Sequence, residues 1–187
     1  CTDIHMRIAG LFSGIGGFEL GLHRAGHSSQ LLCDILPTAR AVLRSRFPDV
    51  DYHDDLITLR SLPRDVDLLC AGFPCQDLSQ AGRTAGLAGE RSGLIGEVFR
   101  LLSRRRVPTV VVENVPFMLQ LNGGSAMRAI VDEFERRGYR WAYRVVDSYG
   151  FGLPQRRERV FLVASRALDP RDVLLVDERP LARPQAP

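Results

Sequence analysis

Three kinds of side chain in this sequence have the types for chemistry: a cysteine, an acid and paired arginines. Cys75 lies in GFPCQDLSQAG (72–82), between a proline and a glutamine, in a stretch too polar and glycine-rich for core. A cysteine there can be a nucleophile, a metal ligand or a small loop residue. The four cysteines, Cys1, Cys33, Cys70 and Cys75, form no CxxC pair and no His/Cys group at zinc spacing, so no metal and no disulfide framework is expected. His5, His23, His27 and His53 show no spacing that suggests a base or a metal site. As a nucleophile, Cys75 would be a thiolate on a loop after an apolar strand and close to arginines. Glu113, in ENV (113–115), ends another apolar run, and a site that raised its pKa would make it a general acid. Arg157 and Arg159, in QRRER (155–159), offer cations. Addition of a thiolate builds negative charge on its target, which an acid and a cation relieve. Taken singly, Glu113 also reads as a strand-end acid or helix cap, and the arginines as a solvated charge run.

A second set suits a ligand. In FSGIGGFELG, Gly14, Gly16 and Gly17 allow a tight turn and close backbone approach, although the pattern is not the dinucleotide G-x-G-x-x-G. Asp34 ends the next apolar run, 20 positions after Gly14, where nucleotide-binding sheets place an acid on ribose hydroxyls. Together these favour an adenosine-bearing cofactor. Asp54 and Asp55 follow a short strand over 50–53; a carboxylate there can accept from an adenine amino group or cap a helix over LITLRSL.

Apolar runs alternating with helical patterns must position these residues. Strands are expected at 7–12, 30–34, 67–72 and 109–114, and helices at 18–25, 37–47, 93–105 and 125–137, with Gly26 and Gly138 as stops. YRWAYRVVDS and RVFLVAS read as a strand pair around a long loop. This rhythm predicts an α/β fold: an open, mostly parallel twisted sheet with helices on both faces, its last strand antiparallel, and ligands beyond the carboxyl ends of the strands.

The length, 187 residues, suits one core, and no apolar run reaches a membrane span, so no membrane partner and a cytoplasmic location are expected. Net charge is only +3, but every basic residue is arginine, bunched at 104–106, 136–137 and 156–159. Arginine forks suit phosphate, while the absence of lysine equally fits a codon bias. The terminal DERPLARPQAP reads as an extended tail.

In order, FSGIGG, GFPCQDLSQAG, ENV and QRRER resemble the conserved blocks of the cytosine-C5 DNA methyltransferase family, over about residues 6–165. The resemblance implies a Rossmann-like class I methyltransferase fold and transfer of a methyl group from S-adenosyl-L-methionine to C5 of a flipped cytosine through a covalent cysteine adduct. It makes Cys75, Glu113, Arg157 and Arg159 catalytic. It puts Phe12, Gly14, Gly16, Asp34, Ile35, Asp55 and Leu56 at the cofactor, with Asp34 where many relatives carry Glu. Asn114 and Gln155 are implied as braces. DNA is the implied partner, in restriction-modification or another process. The glycine-rich stretch 77–94 corresponds to a loop that closes over the extruded base, bringing Gln76, Ser79, Arg83 and Arg91 toward the DNA backbone or, on a plainer reading, leaving them solvated.

The expected division is a catalytic, cofactor-binding domain over 1–165, and over 166–187 a proline-rich tail or the start of a target-recognition region that is otherwise unrecognisable here. A fragment, half of a split enzyme completed by a second chain or C-terminal segment, and an inactive binding or regulatory lobe all fit, and weak or no methylation by these 187 residues alone is expected. An RNA cytosine-C5 methyltransferase is the nearest rival, although the Cys-Phe-Thr tripeptide of such enzymes is absent. An NAD-dependent oxidoreductase would leave Pro-Cys-Gln and Gln-x-Arg-x-Arg unexplained.

Overall fold

The computed structural model describes residues 5–74 and 93–175. β1 (Arg7–Leu11) leads into α1 (Gly17–Arg24), β2 (Ser28–Cys33), α2 (Pro37–Arg46) and the short β3 (Asp51–His53). Then come β4 (Leu68–Ala71), α3 (Gly93–Arg104), β5 (Thr109–Asn114) and α4 (Ser125–Arg136). β6 (Arg140–Asp147), β7 (Glu158–Ser165) and the single-turn α5 (Pro170–Leu174) follow.

The strands form one seven-stranded sheet in the order β3-β2-β1-β4-β5-β7-β6. β3, β2, β1, β4 and β5 run parallel, and β7 is antiparallel to both its neighbours. The expected α/β sheet, including its reversed last strand, is therefore the observed one.

Side chains alternate across each strand and bury two different faces. Ala9, Leu11, Leu69, Ala71, Val110 and Val112 pack with Ile95, Phe99, Ile130 and Phe134 of α3 and α4. On the opposite face Ile8, Leu68 and Cys70 meet Phe18 and Leu22 of α1, and Leu32 meets Leu43 of α2. Helices thus cover both faces, as apolar strands without polar alternation require.

Two local stretches bear on the sequence reading. LITLRSL forms a turn rather than a helix. Asp55 Oδ1 accepts from Ile57 N at 2.9 Å, and Asp55 O accepts from Leu59 N at 3.2 Å, but no second turn follows before Pro63. The stretch 166–175 lies back on the sheet: Arg140 Nη2 donates to Leu168 O at 3.0 Å and Arg144 Nη1 to Leu174 O at 3.1 Å. Among the described residues no helix is long and apolar enough to cross a membrane.

Candidate active site

Reversal of β7 assembles the site. Its register sets Glu113 opposite Phe161 and Asn114 opposite Val160, so the segment entering β7 arrives where β5 ends. Arg159 Nε then lies 2.9 Å from Glu113 Oε1, with both side chains about three-quarters covered. A partly desolvated, hydrogen-bonded pair of this kind fixes both groups in position. Arg157 is exposed on the same rim, its backbone N–H held by Asp147 Oδ1 at 2.9 Å.

Around this pair opens a cavity of about 710 Å³, lined by Phe12, Ser13, Gly14, Glu19, Gly72, Glu113, Arg157 and Arg159 among others. A second, apolar cavity of about 340 Å³ is lined by Phe12, Asp34, Ile35, Asp55, Leu56, Ile57, Pro74 and Leu94. Phe12 and Gly72 belong to both, so the two form one path from the β1–β2 end to Glu113. A Cβ at Gly72 would come 3.3 Å from Glu113 Oε2, a tight contact to which Glu113 would have to yield by a few tenths of an ångström.

The turn after β1 is strained in a way that shapes this path. Phe12 has φ 57° and Gly14 φ 54°, and a non-glycine residue in that region is held only by its surroundings. Asp34 supplies the hold: Oδ2 accepts from Gly14 N at 2.7 Å and Oδ1 from Leu36 N at 2.9 Å. Each carboxylate oxygen keeps a further lone pair for a hydroxyl donor. Arg100 of α3 fastens the opposite wall, donating to Leu56 O at 3.1 Å and Leu59 O at 2.9 Å. Ile35 and Ile57, both more than 60% exposed, present bare apolar faces to the smaller cavity.

Of the sequence-predicted cofactor residues, Phe12, Gly14, Asp34, Ile35, Asp55 and Leu56 line these cavities, whereas Gly16 lines neither. Gly16 caps α1 in the left-handed region and faces Phe47 and Leu43. Of the catalytic set, Glu113, Arg157 and Arg159 come together; Cys75 lies outside the described residues, as do Gln76, Ser79, Arg83 and Arg91. Asn114 donates to Phe73 O at 2.9 Å, bracing the chain two residues before Cys75. Gln155 acts through its backbone, accepting from Ser148 Oγ at 2.7 Å. The two described cysteines are core thiols, Cys33 pushed up to about 12 by burial and Cys70 higher still.

Sequence reasoning missed Glu19. It is 1% exposed on α1, its Oε2 has no hydrogen-bond partner among the described residues, and the neighbouring Ser13 Oγ has none either. Its place depends on Gly10, where a Cβ would sit 2.0 Å from Glu19 Oε1. A glycine inside a strand signals such an approach and was the available clue. Burial raises the Glu19 pKa above its ordinary 4.5. A raised folded-state pKa favours the protonated form, so this contribution to stability is full below 4.5 and fades as pH rises through the folded value. Glu19→Gln is therefore expected to raise Tm at neutral pH relative to the parent and to leave Tm near pH 4 little changed. Thermal melts across pH check this; equal Tm differences at both ends would contradict it.

Comparison with known proteins agrees with this architecture. Residues 6–181 match the family model described as C-5 cytosine-specific DNA methylase. The chain is 51% identical over 173 residues to the Type II methyltransferase M2.BsuMI of Bacillus subtilis, covering 90% of this chain and 44% of that protein. It is 35% identical over 164 residues to the Type II methyltransferase M.NgoFVII of Neisseria gonorrhoeae, covering 86% and 44% respectively. The chain thus spans less than half the length of these two relatives. In fold it is similar to a mutant DNMT2 of Spodoptera frugiperda, with TM-score 0.74, 18% identity and coverage of 96% of this chain and 57% of that one.

Proposed function

The chain belongs to the C-5 cytosine-specific DNA methylase family, and from that premise we propose that it is the catalytic lobe of a DNA cytosine-C5 methyltransferase. The observation that supports this most directly is the Glu113–Arg159 pair on a cavity continuous, through Phe12 and Gly72, with an apolar nucleoside-sized pocket. An acid and a cation held together beside the chain's entry into GFPCQ suit a ring that must accept a nucleophile.

S-adenosyl-L-methionine fits the residues present. The pocket between Ile35 and Ile57 suits a flat base, with Asp34 and Asp55 at its polar edges. The orphaned oxygens of Ser13 and Glu19 are acceptors of the kind an ammonium group satisfies. When bound, this cofactor supplies the electrophilic methyl group. Gly14 has open space where a Cβ would point, leaving room for a ligand against the turn.

On the substrate side the residues divide the work. In this reading the Cys75 thiolate adds to C6 of the cytosine, forming a C–S bond and moving the ring's electron pair toward C5. Glu113 donates to N3, relieving charge as it develops, and Arg159 orients Glu113 while its cation, with that of Arg157, faces the same charge. After methylation, loss of the C5 proton lets the C–S bond break and restores the thiolate and the aromatic ring. The target base must leave the helix stack, because attack at C6 and C5 comes from above and below the ring.

A mechanism-based trap tests this. DNA carrying 5-fluorocytosine has no removable C5 proton, so with S-adenosyl-L-methionine it is expected to leave a covalent protein–DNA adduct. The experiment uses the lobe together with any segment that supplies target recognition, and reads the adduct by denaturing gel and mass. Cys75→Ser is expected to abolish it. An adduct formed on fluorinated RNA in preference to DNA would favour the RNA reading. No adduct on either would remove the catalytic one.

A further inference from the structure

Two of the three arginine bunches in the sequence play no part in this site. The fold brings them together at the other end of the sheet. Arg104 closes α3, Arg105 and Arg106 lead into β5, Arg136 and Arg137 close α4, and Arg166 follows β7, whose antiparallel course returns it to the same end. A separate cavity of about 340 Å³ there is lined by Leu102, Ser103, Arg106, Arg136, Arg137, Tyr139 and Arg166. At about 3.3 Å per residue along β5, it lies roughly 15 Å from Glu113. None of its lining residues lines the catalytic path.

The guanidinium groups are held in place rather than merely crowded. Arg137 lies over the Phe99 ring at 5.0 Å and Arg166 over the Tyr139 ring at 5.8 Å. Arg137 Nη2 also donates to Ser103 Oγ at 3.0 Å, and Tyr139 Oη donates to Val107 O at 2.6 Å, fixing both rings and cations against the core. The buried Glu133 pairs with both Arg136 and Arg137, so one negative charge serves two positive ones. Arg106 has no hydrogen bond or ion pair among the described residues, and Arg137 Nε is buried without a partner. Helix carboxyl ends explain why arginines suit positions 136 and 137. They do not explain Arg106 or Arg166, which lie on no helix, nor the convergence of all four on one concavity.

We propose that this cavity is an anion site, separate from the methyl-transfer site, for a phosphate-bearing ligand. Excess positive charge, planar forks and rings that pre-orient them are what bidentate phosphate recognition uses. Pre-orientation also lowers the ordering cost of binding. A small phosphorylated molecule and a nucleic-acid backbone share this chemistry.

The test uses the whole chain and two probes, inorganic pyrophosphate and a short duplex lacking cytosine, titrated at fixed low salt. Arg106→Gln/Arg166→Gln is the informative variant, because both residues are exposed and leave the Glu133 pairs intact; unchanged Tm confirms folding. Saturable pyrophosphate binding that weakens roughly tenfold or more in the variant supports a small phosphate ligand. A comparable loss for the duplex alone supports a backbone ligand. In either case Arg157→Ala at the other site leaves pyrophosphate affinity unchanged. Equal affinities of parent and variant for both probes would overturn the proposal, as would binding of a polyglutamate peptide at least as tightly as pyrophosphate.

Discussion

Glu113→Gln is expected to lower methyl transfer by roughly 100- to 10,000-fold, the range that loss of a positioned general acid commonly produces. The substitution keeps the size of the side chain and an oxygen for Arg159 Nε, which lies 2.9 Å away in the parent. It removes the proton that the carboxyl group can deliver and the negative charge that faces Arg159. Cofactor affinity is expected to stay within about twofold, because the proposed reading places Glu113 on the cytosine and not among the residues that hold the cofactor. Single-turnover kinetics with DNA, alongside titration of S-adenosyl-L-methionine, separate the two effects. Turnover within a few-fold of the parent would show that Arg159 and Arg157 alone carry the charge. Lost cofactor affinity would show instead that Glu113 shapes the path.

Gly16→Ala is expected to have the largest effect on stability, a loss of roughly 2–5 kcal/mol. Two costs add. Gly16 has φ 82°, where an L-residue is strained by about 1–2 kcal/mol. A Cβ there would also lie 2.6 Å from Phe47 Cε2 and 2.9 Å from Leu43 Cδ2, in the packed layer between α2 and β2. Overpacking of that kind costs about 1–3 kcal/mol. For a domain of this size the expected fall in Tm is roughly 5–15 °C. Gly14→Ala provides the contrast, with a similar φ of 54° but nothing within 4 Å of the added carbon. It should cost only the strain, and its larger effect should be on cofactor binding. Equal destabilisation by the two variants, read by thermal and urea melts, would remove the role given to Phe47 and Leu43.

This pair of glycines shows how far the sequence carries. FSGIGG announces a tight turn after a strand but does not say which glycine faces a ligand and which faces the core. Gly14 lines the cavity and Gly16 packs on α2, a difference set by a helix that begins twenty residues later.

Much of the fold was legible because its signals are local. TVVVEN carries three consecutive valines and becomes β5 over the same six residues, paired with a neighbour on both sides. Gly26 and Gly138 stop helices with φ of 88° and 77°, values that only glycine adopts without cost. An aspartate before an apolar stretch serves a single turn as well as a helix, and Arg100, 44 residues from Leu56, ties down the Leu56 carbonyl in the turn. Glu19 was invisible because a polar residue on an amphipathic helix reads as solvent-facing until the cleft over Gly10 is seen.

By itself, then, the sequence determined the element order, the sheet class and the acid and the arginines that the structure brings together. It did so because strand and helix periods, glycine stops and ordered motifs are properties of short stretches. The antiparallel course of β7 was expected from the sequence, but only the tertiary structure decided that β7 pairs with β5, between β5 and β6, and that placement does two things at once. It sets Arg159 on Glu113 at one end of the sheet, and it returns Arg166 to Arg106, Arg136 and Arg137 at the other. Strand pairing between residues some fifty positions apart fixes both, and no local pattern encodes it.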